Sequence, residues 1–200
     1  MTRRDHLSST RFDQLREIVK RITRVANILV PDDMGVHLRF INHPRVYDHL
    51  NTAQTENAMR LVYPTSGTPS GTVLETRILR PLVYNLLDNP RGPQLRRPLL
   101  ICTITDGAPT DGDAFKKAIL KCRRRIVAAG YAPKTVMFSI SHIGQDRHAA
   151  QFIQSLRSDG EIKDVIYCTS DSIDGKFYEL RDNERGLEVW LLELLTNGLN

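Results

Sequence analysis

Two kinds of oxygen-bearing side chain stand where a sheet protein could bind a ligand. The segment PLLICTITDGAPTDGDAFKKAI, residues 98–119, contains an apolar run that ends abruptly at Asp106. The polar loop SGTPSGT, residues 66–72, contains threonines and directly precedes a predicted helix. Ligands of open α/β sheets bind beyond the carboxyl ends of the strands. We therefore expect a threonine hydroxyl and the Asp106 carboxylate to meet at one rim of the sheet.

These two groups would favour a hard cation. Hydroxyl and carboxylate oxygens suit Mg²⁺, Mn²⁺ or Ca²⁺ better than they suit a soft metal. Mg²⁺ takes about six ligands, so two protein oxygens would leave most positions to water and would not make a tight site. Two structural alternatives stay open. Asp106 can serve as the turn residue between Thr105 and Gly107, and the loop can be a polar connection with a helix cap at its end.

Length and composition predict one globular domain over residues 1–200. The chain has 40% hydrophobic and 26% charged residues, as folded globular proteins do. No apolar run approaches the roughly 20 residues that span a bilayer, and the first residues lack the apolar core of a secretory signal. We therefore expect a cytoplasmic protein with no membrane partner. Its three cysteines are expected to be buried free thiols without disulfides.

The net charge of +5 and the pI near 9.3 raise the question of nucleic-acid binding. Much of the positive charge lies in KKAILKCRRR, residues 116–125, on a predicted helix. The apolar residues of that helix share one face, which leaves the basic residues on the solvated faces. No aromatic side chains stand between them to stack on bases. The pattern therefore disfavours a nucleic acid as the partner.

Predicted helices and strands alternate along the chain. Periodicity predicts helices over 11–29, 51–62, 72–87, 113–129, 146–156 and 185–195, and strands over 35–41, 99–105, 134–140 and 164–169. Pro81 should kink the third helix, because proline removes a backbone donor. The apolar run 99–105 is typical of a strand covered on both faces. Alternation of this kind favours an α/β fold with a parallel sheet between layers of helices.

The segments PTSGTPSGTVLETRI and ICTITDGAPTD together resemble the von Willebrand factor A domain, and in particular the intracellular members common in fungal proteins. Other segments agree in chain order. RFDQLREIVKRITRVANILVPDDMGVHLRFIN is similar to the first helix and second strand, and MFSISHIGQDRHAAQFIQSL is similar to the strand, loop and helix after the aspartate. The resemblance covers nearly the whole chain. It implies a Rossmann-like, doubly wound, mainly parallel sheet flanked by helices.

The resemblance also implies a metal-ion-dependent adhesion site. The family builds this site from an Asp-x-Ser-x-Ser motif after the first strand, a threonine in a second loop and an aspartate after the fourth strand. Onto this chain the threonine carries over to Thr68 and the aspartate to Asp106. The family's metal, Mg²⁺ or Mn²⁺, bridges to a carboxylate of a protein partner. The implied role is protein binding through a metal, not catalysis.

This chain departs from the family at the first loop. Its nearest match to Asp-x-Ser-x-Ser is DHLSS, Asp5 to Ser9, in which Leu7 offers no oxygen. No apolar strand precedes it, so we expect the family's first, central strand to be missing. Our hypothesis is that Met1 stands inside the motif of a truncated gene model or a shortened paralogue, which the upstream genomic sequence would test. Without that strand we expect a marginally stable, aggregation-prone or partner-dependent polypeptide.

The sequence therefore predicts a non-enzymatic protein-interaction module with a degenerate or incomplete metal site at Thr68 and Asp106. The alternative is a metal-dependent hydrolase or phosphotransfer enzyme on a Rossmann-like sheet, in which Asp106 would act on the substrate. Neither a dinucleotide-binding glycine motif nor a phosphate loop with its lysine is present. His142 follows another predicted strand and could reach the same rim, although a hydrogen-bonded loop histidine is the simpler interpretation.

Overall fold

The computed structural model describes residues 11–30, 34–62, 67–89 and 91–196. Its helices are α1 (Arg11–Leu29), α2 (Thr52–Arg60), α3 (Ser70–Val73), a π-helical segment (Leu74–Tyr84), α4 (Asn85–Leu87), α5 (Gly112–Ala128), a 3₁₀ turn (Pro133–Thr135), α6 (Arg147–Arg157), α7 (Ile173–Glu179) and α8 (Glu184–Thr196). Its strands are β1 (Val36–Phe40), β2 (His43–Leu50), β3 (Leu99–Thr105), β4 (Val136–His142) and β5 (Ile166–Cys168). None of the helices in these ranges is long and apolar enough to cross a membrane.

The strands form two separate sheets. Strands β3, β4 and β5 make a parallel sheet in that order, with Thr105 opposite His142 and Ile140 opposite Cys168. Strands β1 and β2 make an antiparallel hairpin of their own. The prediction of an α/β fold with a parallel sheet flanked by helices is therefore confirmed for β3–β5. The hairpin stands apart from that sheet.

Two apolar cores lie against the parallel sheet. The first joins the π-helical segment, α5 and α6 to the strands, with Phe115, Ile119 and Phe138 almost fully buried. The second joins α1, α7 and α8 to the sheet and the hairpin, with Ile18 and Leu191 buried at its centre. Helices thus flank the sheet through two distinct apolar layers, as expected for parallel strands.

Strand β3 is less covered than its sequence predicts. All seven residues of β4 are buried. In β3 only Ile101 and Thr105 are buried, and Cys102 at its centre is exposed. Residues of β3 pack against both apolar cores, Ile101 in the first and Ile104 in the second. The prediction of a strand covered on both faces is therefore confirmed only in part, because Cys102 is exposed. The expected burial of the thiols holds for Cys122 and Cys168 and fails for Cys102.

Two elements were not predicted from the sequence. Strand β2 contains Pro44, Arg45 and Asp48 and is mostly exposed, so it lacks the apolar alternation of a half-buried strand. Helix α7 is a short helix whose N-cap is Ser172, and Ile173 is its one buried residue. Both elements are held by neighbours rather than by their own apolar pattern.

The helix after the polar loop also differs from its prediction. It begins at Ser70 rather than Thr72, and Pro81 lies inside the π-helical segment. The helix continues through this proline to Leu87 with π-helical hydrogen bonding. Two helix ends have recognisable caps: Asn51 forms a capping box with Gln54 at the start of α2, and Gly130 follows α5 with φ of +83°.

Candidate functional site

A groove separates the hairpin from the parallel sheet. It is a cavity of about 330 Å³. Its walls come from α1, β1, the end of α2, the loop before α3, and β3. The lining residues are Phe12, Leu15, Val19, Leu38, Arg39, Phe40, Ile41, Asn42, Met59, Val62, Gly67, Thr68, Cys102, Ile104, Thr105 and Asp106. The wall is apolar along most of its length and polar at one end, which we call the rim: Asn42, Gly67, Thr68, Thr105 and Asp106.

The structure places Thr68 and Asp106 on this same cavity. Thr68 lies in the loop that leads into α3, and Asp106 directly follows β3. The side chain of Thr105 shapes the turn at Asp106, because its hydroxyl donates a 2.7 Å hydrogen bond to the main-chain oxygen of Gly107. Asp106 is thus a turn residue and also a rim residue, so the two interpretations of this position are compatible.

Hydrogen bonds join the two loops that carry these side chains. The main-chain oxygen of Thr68 accepts from the amide of Thr110 at 3.0 Å and from that of Ser70 at 2.8 Å. Gly67 has φ of +94°, which favours glycine at the turn into this loop. The loop after α2 and the loop after β3 are therefore held together at the rim.

Asp111 strengthens the same connection. One of its carboxylate oxygens accepts from the amide of Gly71 at 2.9 Å, and the other accepts from the amide and the hydroxyl of Thr72, both at 2.8 Å. Burial alone would raise the pKa of Asp111, but these hydrogen bonds outweigh it and hold the pKa below its usual value. A side chain on Gly71 would collide with the main chain of Phe115. Asp111 thus fixes the start of α3 against the start of α5.

Among the described residues, the other predicted site group, His142, does not join Thr68 and Asp106. His142 ends β4 opposite Thr105 but does not line the groove. It is buried, and its Nδ1 has no hydrogen-bond partner in the described part of the chain. The segment Asp5 to Ser9 and residues 63–66 of the polar loop lie outside the described residues. Within the described ranges, no three His, Cys, Asp or Glu side chains are grouped closely enough to hold a metal ion.

Cys102 is a groove residue that sequence reasoning missed. Its side chain is exposed to solvent although it stands in the middle of β3. Cys102 is therefore reachable from the solvent-filled side of the groove that it lines. Its position in an uncharged, β-branched run gave no signal, because the same pattern also describes a fully covered strand.

A scan of protein-family models found no match to this chain, and searches of curated proteins and of solved structures found no significant match. The resemblance to the von Willebrand factor A domain therefore stays a hypothesis that rests on the segments quoted above.

Proposed function

We propose that this chain is a non-enzymatic protein-interaction module of the von Willebrand factor A type, with an incomplete metal site at its rim. The observation that carries this proposal is the shared cavity of Thr68 and Asp106. These are the two residues that the resemblance selects, and they come from loops more than thirty positions apart in the sequence.

The arrangement of the strands supports the same proposal. In the family a central strand lies between the strands that correspond here to β1 and β3. In this chain β1 and β3 belong to separate sheets with a groove between them. The parallel order β3-β4-β5 with helices on both sides agrees with the remaining half of such a domain. The groove then takes the place of the family's first strand.

The donor set at the rim does not fit a tight metal site. The Thr68 hydroxyl and the Asp106 carboxylate are suitable oxygens for Mg²⁺ or Mn²⁺. Both ions prefer about six ligands, and the family's remaining protein ligands come from a motif that this chain does not match. A partner carboxylate could add one further oxygen. We therefore propose weak metal binding at most, with protein binding as the main function of the module.

Calorimetric titration with Mg²⁺ and with Mn²⁺ tests the metal part of the proposal. We expect weak or no binding to the wild-type chain, and the same result for Asp106→Ala and Thr68→Ala. Asp171→Ala provides a control, because this exposed carboxylate lies outside the groove. Tight binding to the wild type that is lost only in the Asp106 and Thr68 variants would show a complete site and contradict the proposal.

A phosphatase assay separates the proposal from the enzymatic alternative. A hydrolase or phosphotransfer enzyme that uses Asp106 should turn over p-nitrophenyl phosphate in the presence of Mg²⁺, and Asp106→Ala should remove that activity. We expect no turnover by either protein. The position of His142 outside the groove supports this expectation, since it leaves the rim without a histidine to move a proton.

A further inference from the structure

We infer that His37 and His49 of the hairpin bind a Zn²⁺ ion through their Nε2 atoms, with water in the remaining coordination positions. This site goes beyond the proposed function, because it lies on the hairpin and uses nitrogen rather than oxygen ligands. Neither histidine lines the groove that contains Thr68 and Asp106. Imidazole nitrogen is a preferred ligand of Zn²⁺, whereas Mg²⁺ prefers oxygen.

An irregularity in the hairpin brings the two histidine side chains together. The pairing between β1 and β2 shifts register between Val36 and Leu38. One residue of β1, His37, therefore lies opposite two consecutive residues of β2, Asp48 and His49. Consecutive strand residues otherwise point to opposite faces, and a bulge re-aims a side chain. The two imidazole rings consequently lie in contact, with their centres 4.9 Å apart and their planes inclined by 65°.

The main chain of His49 adopts an uncommon conformation. Its φ is +54°, and among the described residues no other residue except glycine has a positive φ. Such conformations are found more often at active sites and ligand-binding positions than elsewhere. Gly35 lies directly against this main chain, since a Cβ on Gly35 would be 2.5 Å from the carbonyl carbon of His49. The start of β1 therefore fixes the position from which the His49 ring projects.

The Nδ1 atom of each ring has a hydrogen-bond partner that determines where the ring proton lies. The Nδ1 of His37 is 2.6 Å from a carboxylate oxygen of Asp48, and the Nδ1 of His49 is 2.9 Å from the main-chain oxygen of Met34. Because an ionised carboxylate and a carbonyl oxygen only accept hydrogen bonds, each Nδ1 carries the proton. Each neutral ring therefore has its lone pair on Nε2, where it can bind a metal.

Asp48 orients the ring of His37. The same carboxylate oxygen accepts from His37 and, at 2.6 Å, from the guanidinium of Arg39. Burial would raise the pKa of Asp48, but these hydrogen bonds outweigh it and hold the pKa below its usual value. The carboxylate is thus ionised at neutral pH. Zinc-binding histidines usually donate their other N–H to a carboxylate or a main-chain carbonyl, and His37 and His49 show one of each.

The spacing of the rings fits a shared tetrahedral ion. A Zn–N distance of about 2.0–2.1 Å places the ion about 3.2 Å from the centre of each ring. Two rings on one tetrahedral ion then have centres about 5 Å apart, in agreement with the observed 4.9 Å. Within the described ranges, no third His, Cys, Asp or Glu side chain completes a metal-binding group. Water therefore fills the other positions, and the ion binds reversibly.

His43 provides a contrast within the same hairpin. Its Nδ1 accepts a hydrogen bond from the amide of Arg45 at 3.2 Å, so the proton of the neutral ring lies on Nε2. Its ring packs edge-on against Phe40, and it lies at the opposite end of β2 from His49. In this arrangement His43 offers no Nε2 lone pair to a metal.

Calorimetric titration of the untagged chain with Zn²⁺ tests the site. An excess of Mg²⁺ is present, because it occupies oxygen ligands without competing for imidazole. We expect saturable binding of Zn²⁺ to the wild type. His37→Asn and His49→Asn should each weaken this binding at least about tenfold, because one of two nitrogen ligands is lost. His43→Asn is the matched control and should leave the affinity unchanged.

Chemical modification of the wild type gives a readout that does not depend on the folding of a variant. Diethyl pyrocarbonate acylates accessible imidazole nitrogens, and mass spectrometry of the peptides locates the products. With Zn²⁺ at about ten times its Kd, modification of His37 and His49 should slow about tenfold. His148, an exposed histidine of α6, should react at an unchanged rate. EDTA should restore the original rates.

The outcomes separate this inference from the proposed function. Absence of Zn²⁺ binding, undiminished binding by the His37 and His49 variants, or an equal loss in His43→Asn would overturn the zinc site. Unchanged modification of His37 and His49 in Zn²⁺ would also overturn it. Loss of Zn²⁺ binding in Asp106→Ala would move the ion to the rim and overturn the assignment to the hairpin. None of the first three results bears on the proposed function, which the Mg²⁺ and Mn²⁺ titrations test.

Discussion

Strands β3 and β4 are neighbours with similar sequences and different surroundings. They read LLICTIT and VMFSISH, and both are apolar, uncharged apart from a final histidine, and seven residues long. All of β4 is buried, whereas β3 has two buried residues and an exposed cysteine. Within the described part of the chain, β4 pairs on both edges and β3 on one. Two strands of similar composition in one sheet thus differ in burial, because burial depends on which elements pack against each strand.

The largest expected difference between the two strands is in the stability lost when a side chain is replaced by alanine. Phe138 in β4 is 1% exposed, so Phe138→Ala should lower the free energy of unfolding by about 3–5 kcal/mol. Cys102 follows Ile101, the residue of β3 that pairs with Phe138. Cys102→Ala should change the free energy of unfolding by less than about 0.5 kcal/mol. Urea denaturation followed by circular dichroism measures both values. Similar losses in the two variants would mean that the groove is closed in solution.

The sequence predicted the parallel half of the molecule better than the groove. The apolar runs before Asp106 and His142 predict strands because they need only local periodicity. The exposure of Cys102 depends on what lies beside β3, which is a long-range property. Strand β2 was not predicted because its position also depends on its neighbours. It is an exposed outer strand with Pro44, and such a strand needs no apolar alternation.

The candidate site was predictable only in part. Thr68 and Asp106 could be chosen because each stands at a recognisable chain transition, from loop to helix and from strand to turn. The role of Asp111 in joining α3 to α5 was not predicted from the sequence. Its carboxylate accepts from Gly71 and Thr72, forty and thirty-nine positions earlier. Such a pairing has no local signature.

The hairpin offers the next test of the comparison. Arg39 is 5% exposed at its side chain, and its guanidinium donates to the main-chain oxygens of Arg77 and Tyr47 at 3.1 and 2.7 Å. Arg39→Met should cost about 3 kcal/mol, because it leaves these partly buried oxygens without a charged donor. Hydrogen exchange should accelerate in β1 and β2 far more than in β4.

Arg45→Met is the matched control for the Arg39 variant. Arg45 lies in the same hairpin, its side chain is exposed, and its contact with the Tyr47 hydroxyl is a long 3.5 Å. We expect a change of less than about 0.5 kcal/mol and unaltered exchange. Equal acceleration of exchange in β4 and in the hairpin of Arg39→Met would contradict the view that the two sheets are separate units.

The smallest expected effect is at Asp111, which joins the start of α3 near the rim to the start of α5. Asp111→Asn should lower the free energy of unfolding by about 1.5 kcal/mol at neutral pH, because an amide cannot accept all three hydrogen bonds. Asp182→Asn is the control, since Asp182 is 91% exposed and its solvent-screened pairing with Arg181 should contribute little to stability.

The pH dependence of this difference identifies its cause. The hydrogen bonds hold the pKa of Asp111 below its ordinary value of 3.8, so the folded state binds the proton more weakly than the unfolded state does. The stabilisation is therefore complete above the unfolded pKa and is lost as the pH falls through the lower, folded pKa. The unfolding curves of wild type and Asp111→Asn should converge as the pH falls below about 3.8. A difference that stays constant over that range would assign the loss to packing of the amide rather than to the carboxylate.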